Sequence, residues 1–314
     1  MNRSIVSAAI VSLGLWAGSL ANAGESINQT LAANPGERVD VTHVNGKVTI
    51  KGWDNDEVKV TGELSDNAEE FIFERRGSTI EITVKEKDGN WNNSKGDRLT
   101  IHLPQKTSVS YESTNGDLTL DLLEGDLNSE TINGDIDLSR VTGKVRVEVI
   151  NGDVDSKDIT GNLKLNTVNG DVTVANLRGD SIGLETVNGD IDIEGDVGSF
   201  RATTVNGDIQ LSGNTVNELE LSSVNGDIDA TIKLADSGRI KASSVGGDIK
   251  FRFLEQPQAK FTIDGHQGDI VNNLSDDKIK EQQYTGFQSL SFSLGDASGA
   301  VKISTIKGEV VLTK

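Results

Sequence analysis

The sequence predicts an all-β protein, a single-stranded parallel β-solenoid (β-helix) with 18–19-residue coils and atypical capping ends. Three observations predict it: a glycine that recurs at a fixed interval, strand-like alternation of apolar residues between the glycines, and confinement of phenylalanine largely to the two ends.

The interval comes first. The tripeptide Asn-Gly-Asp places glycine at Gly116, Gly134, Gly152, Gly170, Gly189, Gly207 and Gly226, and Gly-Gly-Asp places the next at Gly247, in steps of 18, 18, 18, 19, 18, 19 and 21. Between them lie Gly125, Gly143, Gly161, Gly179 and Gly198, then Glu218 and Gly238, so the underlying period is about nine, doubled.

Within each half-repeat, apolar residues stand at relative positions 0, 2 and 5: Val145, Val147, Ile150; Leu163, Leu165, Val168; Leu219, Leu221, Val224. The first step is strand alternation, whereas the second changes parity, so a bend is expected that turns all three inward. An Asn-Gly pair between apolar runs ordinarily signals a two-residue hairpin. Here a hairpin would set Ile150 against Asp153, Val168 against Asp171 and Val187 against Asp190. Carboxylates would then enter the core or valines would face water, so a corner that sends the chain onward is the better reading.

The signature recurs outside the regular block. Val39, Val41 and Val44 lead into Asn45-Gly46; Val109, Tyr111 and Thr114 into Asn115-Gly116; Val301, Ile303 and Ile306 into Lys307-Gly308-Glu309. Apart from Phe200, the phenylalanines sit at Phe71 and Phe73 on one side and at Phe251, Phe253, Phe261, Phe287 and Phe292 on the other, as expected of wider caps over the open ends of a stack. The expected organisation is a signal peptide at 1–23, an N-terminal capping region at 24–110, regular repeats at 111–250 and degenerate coils with a cap at 251–314. Polar insertions from Lys87 to Gly96 and from Asn272 to Gln288 read as surface loops.

The first 23 residues carry Arg3, an apolar stretch from Ile5 to Leu20 and Ala21-Asn22-Ala23, the pattern of a cleaved secretory signal. No later stretch is long and apolar enough to span a bilayer, and there is no cysteine for disulfides, lipid attachment or thiol chemistry. Cleavage leaves 29 basic residues against 49 acidic ones, a net charge of −20. Such a surface repels nucleic acid and anionic lipid. An exported location, periplasm or cell surface, is the expectation.

The stretches "VNGKVTIKGWDNDEVKVTGEL", "LTIHLPQKTSVSYESTNGDL", the iterated "VNGDI" and "GAVKISTIKGEVVL" resemble the bacterial adhesin-like family of β-strand-repeat proteins, a domain family of unknown function. The resemblance covers nearly the whole mature chain. It implies a β-helical exported protein and brings no catalytic residues with it.

Stacking sets what the repeated side chains do. Asn115, Asn133, Asn151, Asn169, Asn188, Asn206 and Asn225 would lie about 4.8 Å apart, close enough for their amides to form a ladder. The aspartates Asp117, Asp135, Asp153, Asp171, Asp190, Asp208, Asp227 and Asp248 form a second row, extended outward two residues on by Asp137, Asp155, Asp192 and Asp229. Three readings stand for them: carboxylates accepting from backbone amides of their own turn; a Ca²⁺-bridged strip over Asp135, Asp137, Asp153, Asp155, Asp171, Asp190, Asp192, Asp208, Asp227 and Asp229; or an acidic surface for a cationic partner. The sequence requires no cofactor, and Ca²⁺ is the one that these rows suit. The opposite face is mixed, with Lys144, Arg146, Lys164, Arg201, Arg239 and Lys241 among Glu148, Glu185, Glu218 and Glu220.

Catalytic constellations are sparse. His43, His102 and His266 are far apart in sequence, and Ser223 and Ser244 have no neighbouring histidine, so a nucleophilic triad lacks support. Outward pairs such as Asp190 and Asp192 could in principle serve a glycosidase, but they recur on alternate coils whereas a catalytic site is singular. His266 reads as a partly buried corner residue and Trp53 as part of the core of the N-terminal cap. Trp91, in "KDGNWNNSKGD", is the candidate for stacking on a sugar. The expected function is a non-catalytic binding, adhesin-like or structural module whose ligand is an envelope or surface protein or polysaccharide. A calcium-stabilised module and a polysaccharide-active enzyme are the alternatives.

Overall fold

The computed structural model describes residues 19–20, 24–87, 95–179, 181–282 and 286–314. Over these residues the protein is all-β, without a helix. The strand Ile136–Asn151 pairs in parallel with Val154–Asn169, from Ile136 opposite Val154 to Asn151 opposite Asn169. The register continues through Asn169, Asn188, Asn206 and Asn225, each bridged to the next.

Burial follows the alternation. Ile136, Val154, Val172, Ile191, Ile209, Ile228 and Ile249 form one interior row, each with no exposed surface. Burying a side chain of this kind contributes about 1.5–3 kcal/mol, and the row places one on every repeat.

The third apolar position departs from expectation. Ile150, Val168, Val187 and Val224 are 38–46% exposed. Strand alternation instead runs straight on, so that the residue before each one, Val149, Thr167, Thr186 or Ser223, is buried. The hydropathy pattern hid this because three of those four inward residues carry a hydroxyl. Parallel register, rather than burial at that position, is what excludes the hairpin.

Extra residues in the longer repeats enter at one place. Lys157 pairs with Ala175 and Leu163 with Ile182, so the first enters between Ala175 and Ile182. Later register shifts fall between Ser212 and Thr215 and between Val216 and Glu218, where Leu234 is followed in the ladder by Arg239. The Asn-Gly-Asp corner takes none of them.

At both ends, spatial order departs from chain order. Arg38–Trp53 lies between Ser108–Leu123 on one side and Thr79–Glu86 with Asp97–Pro104 on the other, in parallel with all three. At the other end, Gly299–Thr305 is inserted between Ile228–Ser244 and Ala259–Gly265, and Val310–Thr313 between Ile249–Phe253 and Ile270–Asn272. Segments that carry the repeat signature therefore join the regular stack directly, although distant from it in sequence.

Outside them the pairing turns antiparallel, which the expectation of a purely parallel arrangement missed. Ala68–Arg76 covers Thr79–Glu86, Glu57–Glu63 covers Asp97–Pro104, Ser26–Ala32 covers Glu57–Glu63, and Gln288–Ser293 covers Ala259–Gly265. Short connections such as Arg76 to Thr79, turning at Gly77 with φ 65°, permit only an antiparallel neighbour. Buried aromatics fill the wider C-terminal end: Phe261 stacks on Phe292 at 4.5 Å and meets Phe253 edge-on at 5.8 Å.

Residues 1–23 lie outside the description except Ser19–Leu20, whose backbone pairs antiparallel with Phe71 and Glu70. The expected loop from Lys87 to Gly96 lies largely outside it too. Among the described residues, no helix is long and apolar enough to cross a membrane.

Candidate functional site

The repeated corner is built from three rows of hydrogen bonds and a column of glycines. The first is the amide ladder: Nδ2 of Asn133, Asn151, Asn169, Asn188, Asn206 and Asn225 each donates to Oδ1 of the asparagine one repeat earlier, at 2.7–2.8 Å. In the second, each aspartate Oδ1 accepts from the backbone N–H of the next repeat's aspartate. Asp153 donates to Asp135 at 3.0 Å, Asp171 to Asp153 at 2.8 Å, Asp208 to Asp190 at 2.7 Å and Asp248 to Asp227 at 2.8 Å. Glu309 of the inserted C-terminal strand continues the row by donating to Asp248 at 2.8 Å. The carboxylates thus accept from the neighbouring repeat, not from their own turn.

The third row is hydroxyl. Thr167, Thr186, Thr204 and Ser223 donate to the carbonyls of Gly152, Gly170, Gly189 and Gly207 at 3.1–3.3 Å. Ser223 and Ser244 are buried and serve this role. Glycine completes the corner because nothing larger fits: at Gly170, with φ 155°, a Cβ would lie 2.0 Å from the Gly152 carbonyl oxygen.

Of the ten aspartates read as a possible Ca²⁺ strip, Asp135, Asp153, Asp171, Asp190, Asp208 and Asp227 belong to the ladder, each with Oδ1 engaged. Asp137, Asp155, Asp192 and Asp229 stand exposed two residues further on. Among the described residues, no three carboxylates or histidines converge as a metal-binding group. Partial burial, then the charges of Asp190 and Asp171, push the Asp192 carboxyl above the usual carboxylate range. Trp91 lies outside the described residues.

On the other side of the asparagines runs a row that the sequence reading placed inside: Ile132, Ile150, Val168, Val187, Val205, Val224, Val245 and Ile306, seven of them 38–45% or, for Ile150, 46% exposed. Beside it, Glu112, Glu130 and Glu148 stand in register. Together they line a groove of about 530 Å³ whose walls also include Ser113, Asn166 and Thr167. The signal for the row was present in the sequence as the residue before each Asn-Gly; parity assigned it to the wrong side.

A second polar cluster, unanticipated, is buried under the N-terminal cap. His43 Nδ1 lies 3.5 Å from Asp97 Oδ2, both side chains fully buried, and His43 Nε2 lies 2.8 Å from the Tyr111 hydroxyl. Asp97 Oδ1 accepts from the Ser65 backbone at 2.7 Å, while burial raises both Tyr111 and Glu86 above their ordinary values. The cluster ties the strands bearing His43, Asp97 and Tyr111 together. His266, expected to be partly buried, is exposed and meets Phe287 edge-on at 5.0 Å. Trp53 is half-buried, donates from Nε1 to the Glu57 carbonyl at 2.8 Å and lies against His102.

Residues 37–275, with this corner iterated through them, match the model of a family of unknown function, Toastrack DUF4097. The chain belongs to the Toastrack family. Its fold is similar to that of an adhesin candidate from Parabacteroides distasonis, at 14% identity and TM-score 0.50, over 93% of this chain and 98% of that one. An adhesin candidate from Parabacteroides merdae matches at 11% identity and TM-score 0.45, over 93% and 97%. A candidate lipid-binding protein from Parabacteroides distasonis matches at 15% identity and TM-score 0.38, over 93% and 98%. At such identities the likeness is one of fold. No curated protein matches the chain.

Proposed function

We propose that this Toastrack chain is an exported, elongated β-solenoid, a non-catalytic module that binds an envelope or surface ligand or builds the envelope itself. The observation that carries the reading is that each repeat spends its recurring polar groups on its neighbour: amide on amide, carboxylate on backbone, hydroxyl on carbonyl. Groups so engaged build a scaffold, whereas a catalytic site needs one set of groups held free. The signal-like residues 1–23 and the absence of cysteine support export. The in-register parallel pairing of successive repeats at the Asn-Gly-Asp corner supports the solenoid, and the fold likeness to an adhesin candidate agrees with the binding role.

Fractionation of cells expressing the full chain, with N-terminal sequencing of the product, tests export. Retention in the cytoplasm with residues 1–23 attached would overturn it. Small-angle scattering tests the shape: about a dozen parallel rows at 4.8 Å give a rod of roughly 55 Å before its caps. Turnover of pectin-like or glycosaminoglycan polymers, abolished by changing one aspartate pair, would replace the scaffold reading with an enzymatic one.

Calcium stabilisation is the second reading, favoured by one observation: burial, and after it the charges of Asp190 and Asp171, raise the Asp192 carboxyl, and a divalent cation over Asp171, Asp190 and Asp192 would relieve the repulsive part. The ladder uses Oδ1 of Asp171 and Asp190, and the Asp192 carboxyl stands two residues beyond it. Equal melting temperatures in millimolar Ca²⁺ and in chelator would remove this reading.

A further inference from the structure

An exposed aliphatic residue is ordinary in isolation, but a row of eight in register, seven of them exposed, is not. Seven of its members leave 38–46% of their surface open to solvent. It also stands beside the corner without serving it, since the amide, carboxylate and hydroxyl rows hold the repeats together.

The groove along this row has two unlike walls. One is aliphatic, with Ile132, Ile150 and Val168; the other is acidic, with Glu112, Glu130 and Glu148. No lysine or arginine lines it. Glu148 pairs with Arg146, and Glu130 accepts from the Asn128 amide, while neither Glu112 nor Glu130 has a cation within ion-pair distance among the described residues. A chain of formal charge −19 presents such a groove most favourably to a cation. A second copy of the chain would bring its own acidic rows and is disfavoured on the same ground.

An extended polypeptide sends alternate side chains to opposite sides. We propose that the groove binds an extended cationic segment of a partner protein, in which lysine or arginine alternates with aliphatic residues. The basic side chains meet Glu112, Glu130 and Glu148, and the aliphatic ones cover Ile132, Ile150 and Val168. This deepens the binding-module reading, on which it rests, by naming the class of ligand.

The test titrates the full chain with three synthetic octapeptides, alternating Lys-Val, Lys-Ser and Glu-Val, at physiological salt. The expected result is binding of Lys-Val, affinity for Lys-Ser lower by about tenfold or more, and none for Glu-Val. The double variant E112Q/E130Q and the double variant I132S/I150S each weaken Lys-Val binding by about fivefold or more. The charge-matched E124Q/E194Q, away from the groove, leaves it within about twofold. Should I132S/I150S melt early, I132T/I150T keeps the β-branch and the stack while still adding a hydroxyl to the wall. Equal affinity for Lys-Val and Lys-Ser, or equal weakening by E124Q/E194Q, overturns the proposal in favour of non-specific charge attraction. No binding of any peptide overturns it as well, and that failure is distinguishable from failure of the module reading, which export and shape measure separately.

Discussion

The two corners of each repeat obey different rules. At the Asn-Gly-Asp corner the same three residues recur, the amide and carboxylate ladders run without interruption and no extra residue enters. At the far corner the left-handed position is filled by Leu122, Arg140, Asp158 and Asn176 in turn, at φ 52–66°, and the glycine row of Gly125, Gly143, Gly161, Gly179 and Gly198 lapses at Glu218. The register shifts lie there. One corner fixes the spacing of the stack; the other absorbs what does not fit. A corner whose bonds run to the neighbouring repeats cannot change alone, whereas one closed by local backbone conformation can.

The sharpest way to break this contrast is to insert a residue at each corner. A serine added after Asn169 shifts Gly170 and Asp171 out of both ladders and turns the following side chains to the wrong face, and is expected to cost more than about 4 kcal/mol. A serine added after the exposed Ser237, where the chain already carries extra residues, is expected to cost less than about 1 kcal/mol. Denaturant melts of the two insertions decide it, and equal losses would erase the distinction.

Glycine substitution asks the same question without moving the chain. In Gly170→Val the new Cβ meets the Gly152 carbonyl oxygen at 2.0 Å, so a loss of about 3 kcal/mol or more is expected. Gly213, at the far corner, has its nearest neighbour, the Gly195 carbonyl oxygen, 3.0 Å from the same position. Gly213→Ala is therefore expected within about 1 kcal/mol of the parent. A Gly170→Val protein that melts like the parent would remove the steric account of the corner.

The same difference explains what was legible in the sequence. Asn-Gly-Asp is visible because three residue types are demanded at once, repeat after repeat, and Asn45-Gly46 and Lys307-Gly308-Glu309 are visible as members for the same reason. Their insertion between strands remote in sequence was not legible, because the signature specifies a neighbour of the same kind but not which one. The far corner was legible only as a glycine row, since Leu122, Arg140 and Asp158 share a backbone conformation and no chemistry. At the candidate site the aspartate row could be read but not its partners, which are backbone amides of the next repeat. The aliphatic row was misassigned because Thr167, Thr186 and Thr204 point inward as polar residues, and hydropathy alone counted Val168 and Val187 as the interior ones.

The ladder itself gives a smaller effect. Asn169→Ala removes the bond donated to Asn151 at 2.7 Å and the bond accepted from Asn188 at 2.8 Å, in a solvent-accessible setting, so a loss of about 1–2 kcal/mol is expected. Asn162→Ala, at the far corner, is expected within about 0.5 kcal/mol of the parent. Thermal melts of the pair resolve the difference, and a larger loss at Asn162 would invert the assignment of which corner holds the stack.

The smallest effect separates two aspartates by sign. Burial and the charges of Asp190 and Asp171 raise Asp192, so the folded protein binds that proton more tightly than the unfolded chain does. Its contribution is present below the unfolded value of 3.8 and is lost as pH rises through the raised folded value. Asp121, which accepts from Arg140 and from Ser139, is lowered, chiefly by the hydrogen bond from Arg140. Its contribution is present above the unfolded value and is lost as pH falls through the lowered one. At pH 7, Asp192→Asn is therefore expected to melt slightly above the parent and Asp121→Asn slightly below it, with solvent screening keeping both shifts small. Near pH 3 the Asp192→Asn advantage should vanish. Opposite signs at neutral pH follow from burial and like charge at Asp192 set against the hold of Arg140 on Asp121, and two shifts of the same sign would overturn that difference.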